Sequence, residues 1–437
     1  MSIRLFATSA LASLAAGFHL GYQLAVNNAA APVLMAFIGD RYAHRYLPTS
    51  NKHANATTQL DVRTLRLLWS LYNGVPMFAG IIGAAAASYA VNTFGRRNSL
   101  IGNGFLSALA LLPMLLTPYT QAFELMFLSR GLGIVAQGAF ITEICPQSKR
   151  GAMNNFMAIL VRLGGTIGFV LSVDVLFGCA QRWVAFFWLE TIVVLLFLIG
   201  MFCCTHETPN FLISSATEGD LKMEHKALQV IRLYHGLDSD ETAQIVLGRI
   251  KHDLQLQTKR LTVFQLLHTP LVNRSAALTV AVCVGMPLSA YTPVVVYGAL
   301  LLTDAGFSTS EATNYTLVIG LLALVSVLVV SALIERVGRR PLLIGSCIAT
   351  ALSVALLYVA MLVNRCFSNL DLLRFTVLAA QMLTVISVHF GLAPISWWIA
   401  SELVPINARA ANQALGTMMQ LCGLFVAPLV FLPVYNL

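Results

Sequence analysis

The chain has 437 residues, 57% of them apolar and only 11% charged, against about 45–50% and about 25% in an average soluble domain. This composition excludes an ordinary soluble globule. A net charge of +8 with no basic stripe interleaved with aromatics argues against a nucleic-acid surface, and no Gly-Lys dipeptide exists to build the phosphate-cradling loop that ATP drive requires.

Eleven apolar runs are long enough to cross a hydrocarbon core, which takes about 20 residues of helix: 5–38, 64–91, 98–117, 123–144, 153–178, 183–204, 272–302, 313–334, 341–363, 375–404 and 410–434. They are continuous rather than alternating, so they predict helices and not barrel strands. The expected fold class is an all-α polytopic membrane protein. The first run continues to Ile38, far past the roughly 7–15 residues of a signal-peptide core, and reads as a span. The cysteines fall in or at the ends of the runs with no repeated spacing. They read as small packing residues, neither a disulfide frame nor a zinc site, and no cofactor or metal is implied.

With the N-terminus in the cytoplasm, the inner loops carry about twice as many Lys and Arg residues as the outer ones, the orientation that the positive-inside rule favours. Two acceptor tripeptides, beginning at Asn55 and Asn314, then fall outside, where glycosylation can occur. Between the sixth and seventh runs, residues 206–270 form a polar segment with mixed charges such as Glu218, Asp220, Lys222, Glu224 and Lys226. It predicts short cytoplasmic helices and divides the chain into a bundle at 1–205, a linker at 206–270 and a second bundle at 271–437.

Features repeat across that division. Phe94-Gly95-Arg96-Arg97 follows the second run and Val337-Gly338-Arg339-Arg340 the eighth. Glu143 precedes Arg150 after the fourth run, and Glu402 precedes Arg409 after the tenth at the same spacing. Parallel repeats of this kind build rocking transporters. Charges at cytoplasmic helix ends can pair across two bundles and must separate when that face opens. Arg96, Arg97, Glu143, Arg150, Glu335, Arg339, Arg340, Glu402 and Arg409 are therefore expected to form a releasable latch, for which the planar fork of Arg is suited. The alternative is that these arginines set topology alone.

On these motifs the chain resembles the sugar transporters of the major facilitator superfamily, and within them the facilitative glucose transporters. The resemblance is carried by Gly21-Tyr22 with Asn28, Asn92 to Arg97, Glu143 to Pro146 with Arg150-Gly151-Ala152, Glu207-Thr208-Pro209, Glu335 to Arg340, and Pro394-Ile395-Ser396-Trp397 with Glu402 and Arg409. It implies two six-helix bundles, alternating access and facilitative (uniport) hexose transport across the plasma membrane. Two departures concern the scaffold: there is no twelfth run, and the interval from Arg130 to Glu143 is shorter than the family's by about two helical turns, roughly 10 Å. An incomplete carrier is one expectation they raise.

The other departures cluster at the sugar contacts that the resemblance implies. Arg162 stands for a Gln, Met286 and Pro287 for two further Gln, Thr292 and Ala323 for Asn, His389 for a Glu and Leu424 for an Asn, while Trp397 is unchanged. A sugar needs fixed donors and acceptors beside an aromatic face; the face remains and most of the polar set does not. Arg162 lies roughly 13 Å into its span, where a charge costs about 2.5–3.5 kcal/mol, so it should face a wet cavity or a partner. With His389 it could attract an anion.

The expected cavity is thus lined by Gln23, Asn28, Arg162, Thr292, His389 and Trp397, and carries a hexose or similar small polar solute. Transport is expected to be downhill, because Gln23 stands where proton-driven relatives carry an Asp, and an amide does not titrate. Arg130 then lacks the acid that accompanies it in those relatives. A carrier of organic anions and a non-transporting receptor or scaffold are the rival readings. An enzyme is disfavoured, since no nucleophile or metal-ligand constellation gathers on one membrane side.

Overall fold

A computed structural model describes residues 3–46, 62–132, 150–173, 176–179, 181–215, 221–235, 240–255, 261–366, 371–405 and 408–435. The first run forms α1 (Ile3–Ser13), a π-helical turn (Leu14–Phe18), α2 (His19–Ala29) and α3 (Ala31–Tyr46). There follow α4 (Val62–Phe94), α5 (Arg96–Thr120), α6 (Glu124–Gly131), α7 (Arg150–Leu171) and α8 (Val184–Cys204). The polar segment folds as α9 (Pro209–Ser215), α10 (Leu221–His235), α11 (Asp240–Gln255) and α12 (Val263–His268). The second half comprises α13 (Pro270–Met286), a second π-helical turn (Pro287–Tyr291), α14 (Thr292–Val296), α15 (Gly298–Asp304), α16 (Thr309–Val337), α17 (Arg339–Cys366), α18 (Asp371–His389), α19 (Leu392–Ser396), α20 (Ile399–Glu402) and α21 (Arg409–Tyr435).

Among the described residues, seven helices are long and apolar enough to cross a membrane. Their outer surfaces explain why a membrane is needed. On α17, Ile344, Ile348, Leu352, Leu356 and Val359 are exposed at helical spacing, a continuous apolar stripe that hydrocarbon covers at no cost. Trp188, Ile192, Leu195 and Ile199 form a matching stripe on α8. The chain is an integral membrane protein of all-α class. Expected run one is broken by its π-helical turn, and expected run four extends into residues outside the described set.

Helices α1 to α8 pack on one another, as do α13 to α21; the halves meet through α4 against α21 and α7 against α16. The first half's core gathers Tyr22, Leu34, Tyr72, Met114 and Phe186, and the second's Leu302, Ala323, Val377 and Val385. Helices α10 and α11 form a small core of their own around Ala227, Ile231, Ala243 and Leu247. Tyr234 of α10 ties that layer to the end of α8, its hydroxyl accepting from the His206 amide at 3.1 Å.

Candidate functional site

Backbone contact between α2 and α7 sets the height of the cavity wall. A Cβ at Gly21 would lie 1.8 Å from the Val161 carbonyl oxygen, and one at Gly164 would lie 2.3 Å from that of Phe18. Small residues let two backbones touch, and this contact brackets Arg162. On the other side, α18 stops at His389 and the chain turns at Phe390–Gly391 before α19. Breaking a helix inside a membrane exposes amides and carbonyls that need new partners. Ser346 of α17 supplies them: its hydroxyl donates to the Ser387 carbonyl at 2.7 Å and accepts from the Leu392 amide at 2.9 Å. Gln413 of α21 donates to the Trp397 carbonyl at 2.8 Å, and Asn412 to that of Ala400 at 2.7 Å.

The result is a cavity between the halves, lined by Arg162 of α7, Val327 of α16, and His389, Ala393, Pro394 and Trp397. Three of the six residues expected at the site therefore converge: Arg162, His389 and Trp397. His389 is fully buried, and its Nδ1 donates to the Val385 carbonyl at 2.7 Å. The free space is about 10 Å³, about what one water requires, so a solute of sugar size enters only when the halves part.

Gln23 and Thr292 are not among the lining residues. Gln23 accepts from the Arg130 guanidinium at 2.6 Å. Around this pair Tyr72 donates to Asn27 at 2.8 Å, Asn27 donates to the Gln23 carbonyl at 2.6 Å, and Arg130 lies over the Tyr72 ring. Thr292, 6% exposed, ends the second π-helical turn, and its hydroxyl has no hydrogen-bond partner among the described residues. The side chain of Asn28 lies outside the described set. Sequence reasoning missed the pair formed by His19 of α2 and Glu190 of α8, whose Nδ1 and Oε1 are 2.9 Å apart with the carboxylate 2% exposed. An acid within an apolar run was the available signal.

At the helix ends, Glu207 accepts from the Arg96 amide at 2.9 Å and the Arg97 amide at 3.1 Å, neutralising the positive N-terminus of α5. Arg97 reciprocates, donating to the Phe202 carbonyl at 3.1 Å and the Thr205 hydroxyl at 3.3 Å at the C-terminus of α8. Arg96 is buried over the Phe211 ring. In the second half Arg339 lies 3.4 Å from Glu402 and over the ring of Trp398. The first set joins the first half to the adjoining polar segment, and the second joins helices of the second half. Arg340 is exposed and Arg409 half-buried. Glu143 lies outside the described residues, as do the side chains of Arg150 and Glu335. Asn55 is also outside them, and Asn314 is exposed in the second turn of α16.

The pattern of the family described as "Sugar (and other) transporter" matches residues 8–436. The chain belongs to the sugar transporter family. It is 26% identical over 411 residues to mouse solute carrier family 2, facilitated glucose transporter member 7, covering 92% of this chain and 76% of that protein. It is 24% identical to human member 14 over 421 residues, covering 95% and 77%. The proton:xylose symporter XylE, bound to 6-bromo-6-deoxy-D-glucose, superposes with a TM-score of 0.76 at 18% identity, covering 99% of this chain and 89% of that one. The fold is that of the major facilitator superfamily, and this family member is a transporter, not an enzyme.

Proposed function

We propose that the protein is a facilitative uniporter moving a hexose or similar small polar solute by alternating access. One observation carries the reading: Arg162 of the first half and His389 and Trp397 of the second line the same cavity. A solute held there touches both halves, so rocking one half against the other changes the side to which it is exposed. The described contacts between halves support a hinge. A Cβ on Gly80 or Gly74 of α4 would press on Leu421 or Phe425 of α21, about 22 and 31 Å of helix from the Gly95 turn. The face near the two Gly-Arg-Arg turns is then the one that opens.

Uniport is supported by Gln23, a group without a titratable proton, as the acceptor for Arg130. Loop charge supports a cytoplasmic N-terminus, with bundles at 1–205 and 271–437 around a cytoplasmic linker at 206–270, in the plasma membrane. The relatives' printed names, facilitated glucose transporters, support a sugar. The test is uptake of labelled hexoses into proteoliposomes. Saturable uptake, accelerated by unlabelled sugar on the far side and indifferent to an imposed proton gradient, is expected. Uptake that follows the proton gradient would replace uniport with symport.

A further inference from the structure

We propose that Cys203 and Cys204 are an S-acylation site, where a long-chain fatty acyl group is held in thioester linkage at the linker end of α8. The two are adjacent free thiols, both exposed, and are the last residues of that helix. Cys203 continues the lipid-facing side of α8: Ile192, Leu196 and Ile199 precede it at helical spacing, and each is more than half exposed. The opposite side is occupied by packing. Phe197 and Met201 are buried in one cluster with Leu100 and Ile101 of α5, and Gly200 abuts Leu11 of α1. The polar boundary of the span falls at the same level as the thiols. Arg97 donates to the Phe202 carbonyl and the Thr205 hydroxyl, and Glu207 accepts from the Arg96 and Arg97 amides. Cys203 and Cys204 therefore stand where hydrocarbon gives way to charged groups, the juxtamembrane setting in which cysteines are reversibly acylated.

An acyl chain on Cys203 has a track to follow. From Cys203 back to Ile192 the exposed stripe covers about 17 Å of helix, close to one leaflet of a hydrocarbon core about 30 Å thick. The other described cysteines each lack a condition. Cys283 is buried, and Cys179 and Cys422 are half-buried. Cys347 is exposed but lies within α17, about 12 Å of helix from Arg339, and Cys366 ends α17 on the side away from the Gly338 turn. The acyl donor is a long-chain acyl-coenzyme A on the cytoplasmic side, so the site rests on the cytoplasmic placement of the linker at 206–270. The thiolate is the nucleophile. It attacks the acyl carbonyl carbon, a carbon–sulfur bond to the protein forms as the one to coenzyme A breaks, and the coenzyme A thiolate leaves with the cysteine's proton. No electrons are gained or lost, and hydrolysis returns thiol and fatty acid. The chain adds a lipid anchor where the linker leaves the first half, beside the Glu207 cap of α5.

The experiment expresses the full chain in cells fed an alkyne-tagged palmitate and reads the tag on the purified protein before and after neutral hydroxylamine, which cleaves thioesters. The wild type is expected to carry a hydroxylamine-labile tag. Cys203→Ser with Cys204→Ser should lose it, and Cys347→Ser with Cys366→Ser should keep it, with melting temperatures showing that both variants fold. An acyl mass on the wild-type peptide that contains Cys203 and Cys204 reads the same site without any variant. A tag that survives Cys203→Ser with Cys204→Ser, or a wild type with no labile tag, would overturn the proposal. An impermeant maleimide then separates two causes. Reaction at Cys203 or Cys204 from outside intact cells would overturn the cytoplasmic placement of the linker as well, whereas reaction only after permeabilisation would overturn acylation alone.

Discussion

Gly95 and Gly338 share one backbone conformation, with φ and ψ of 90° and 168° in the first and 89° and 163° in the second. Each ends a long helix and starts the next with the same Arg-Arg pair, so a repeat visible in three letters is also a repeat of geometry. Residues with a Cβ rarely adopt this region, at a cost of about 1–3 kcal/mol. The two glycines differ in surroundings. A Cβ on Gly95 would lie 2.5 Å from a Glu207 carboxylate oxygen, and one on Gly338 would meet nothing within 4 Å. Gly338→Ala should therefore lower the melting temperature of the purified carrier by strain alone, and Gly95→Ala by distinctly more. Equal losses would show that Glu207 moves aside freely.

Glu207 and Arg97 cap each other's helices, and removing either leaves helix-end groups unsatisfied. Glu207→Ala should cost about 0.5–2 kcal/mol of stability, in the range of lost N-caps, while Glu207→Gln, which keeps an acceptor, should cost less. Melting of the two variants beside the wild type checks the order. If both melt alike, charge at the α5 N-terminus outweighs hydrogen bonding there.

The Arg339–Glu402 pair is about one-third exposed on both sides, so its direct contribution is about 0–1 kcal/mol. Its expected importance lies in conformational change. Glu402→Arg should cripple uptake while surface abundance stays normal, and Arg339→Glu in the same molecule should restore part of it. Arg339→Lys is not a neutral exchange, because the planar guanidinium also covers Trp398. Unaltered uptake rates in Glu402→Arg would dismiss the pair as a latch component.

His19, partly exposed, and Glu190, buried, form a polar pair inside the first half. Breaking such a pair by removing one partner costs about 3–5 kcal/mol, whereas replacing both with apolar groups is often close to neutral. Glu190→Leu should lower melting temperature and surface abundance sharply, and His19→Leu with Glu190→Leu should recover most of the loss. A single variant as stable as the wild type would refute a structural role for the pair.

Class and repeat were legible in the linear chain because their causes are local. Helices that face lipid must be apolar along their own length, and a turn that needs a positive φ calls for glycine at that position. The motifs at residues 92–97 and 335–340 announce themselves for the same reason. The convergence of Arg162, His389 and Trp397 was also expected, from residues whose types depart from or keep the sugar-contact pattern.

Other relationships depend on how helices are rotated and at what height they cross, which no local segment encodes. Gln23, expected at the cavity, meets Arg130 because α2 and α6 bring them together inside the first half. Glu207, recognisable as part of a motif, acts as the cap of α5 because the ends of α8 and α5 coincide in space. Glu190 reads as an isolated acid until α2 presents His19 to it. Thus the sequence by itself determined that this is a helical membrane protein with a repeated Gly-Arg-Arg turn. The tertiary structure alone decided which polar groups neutralise one another and which face the cavity, because a buried polar group takes its meaning from a partner more than a hundred residues away.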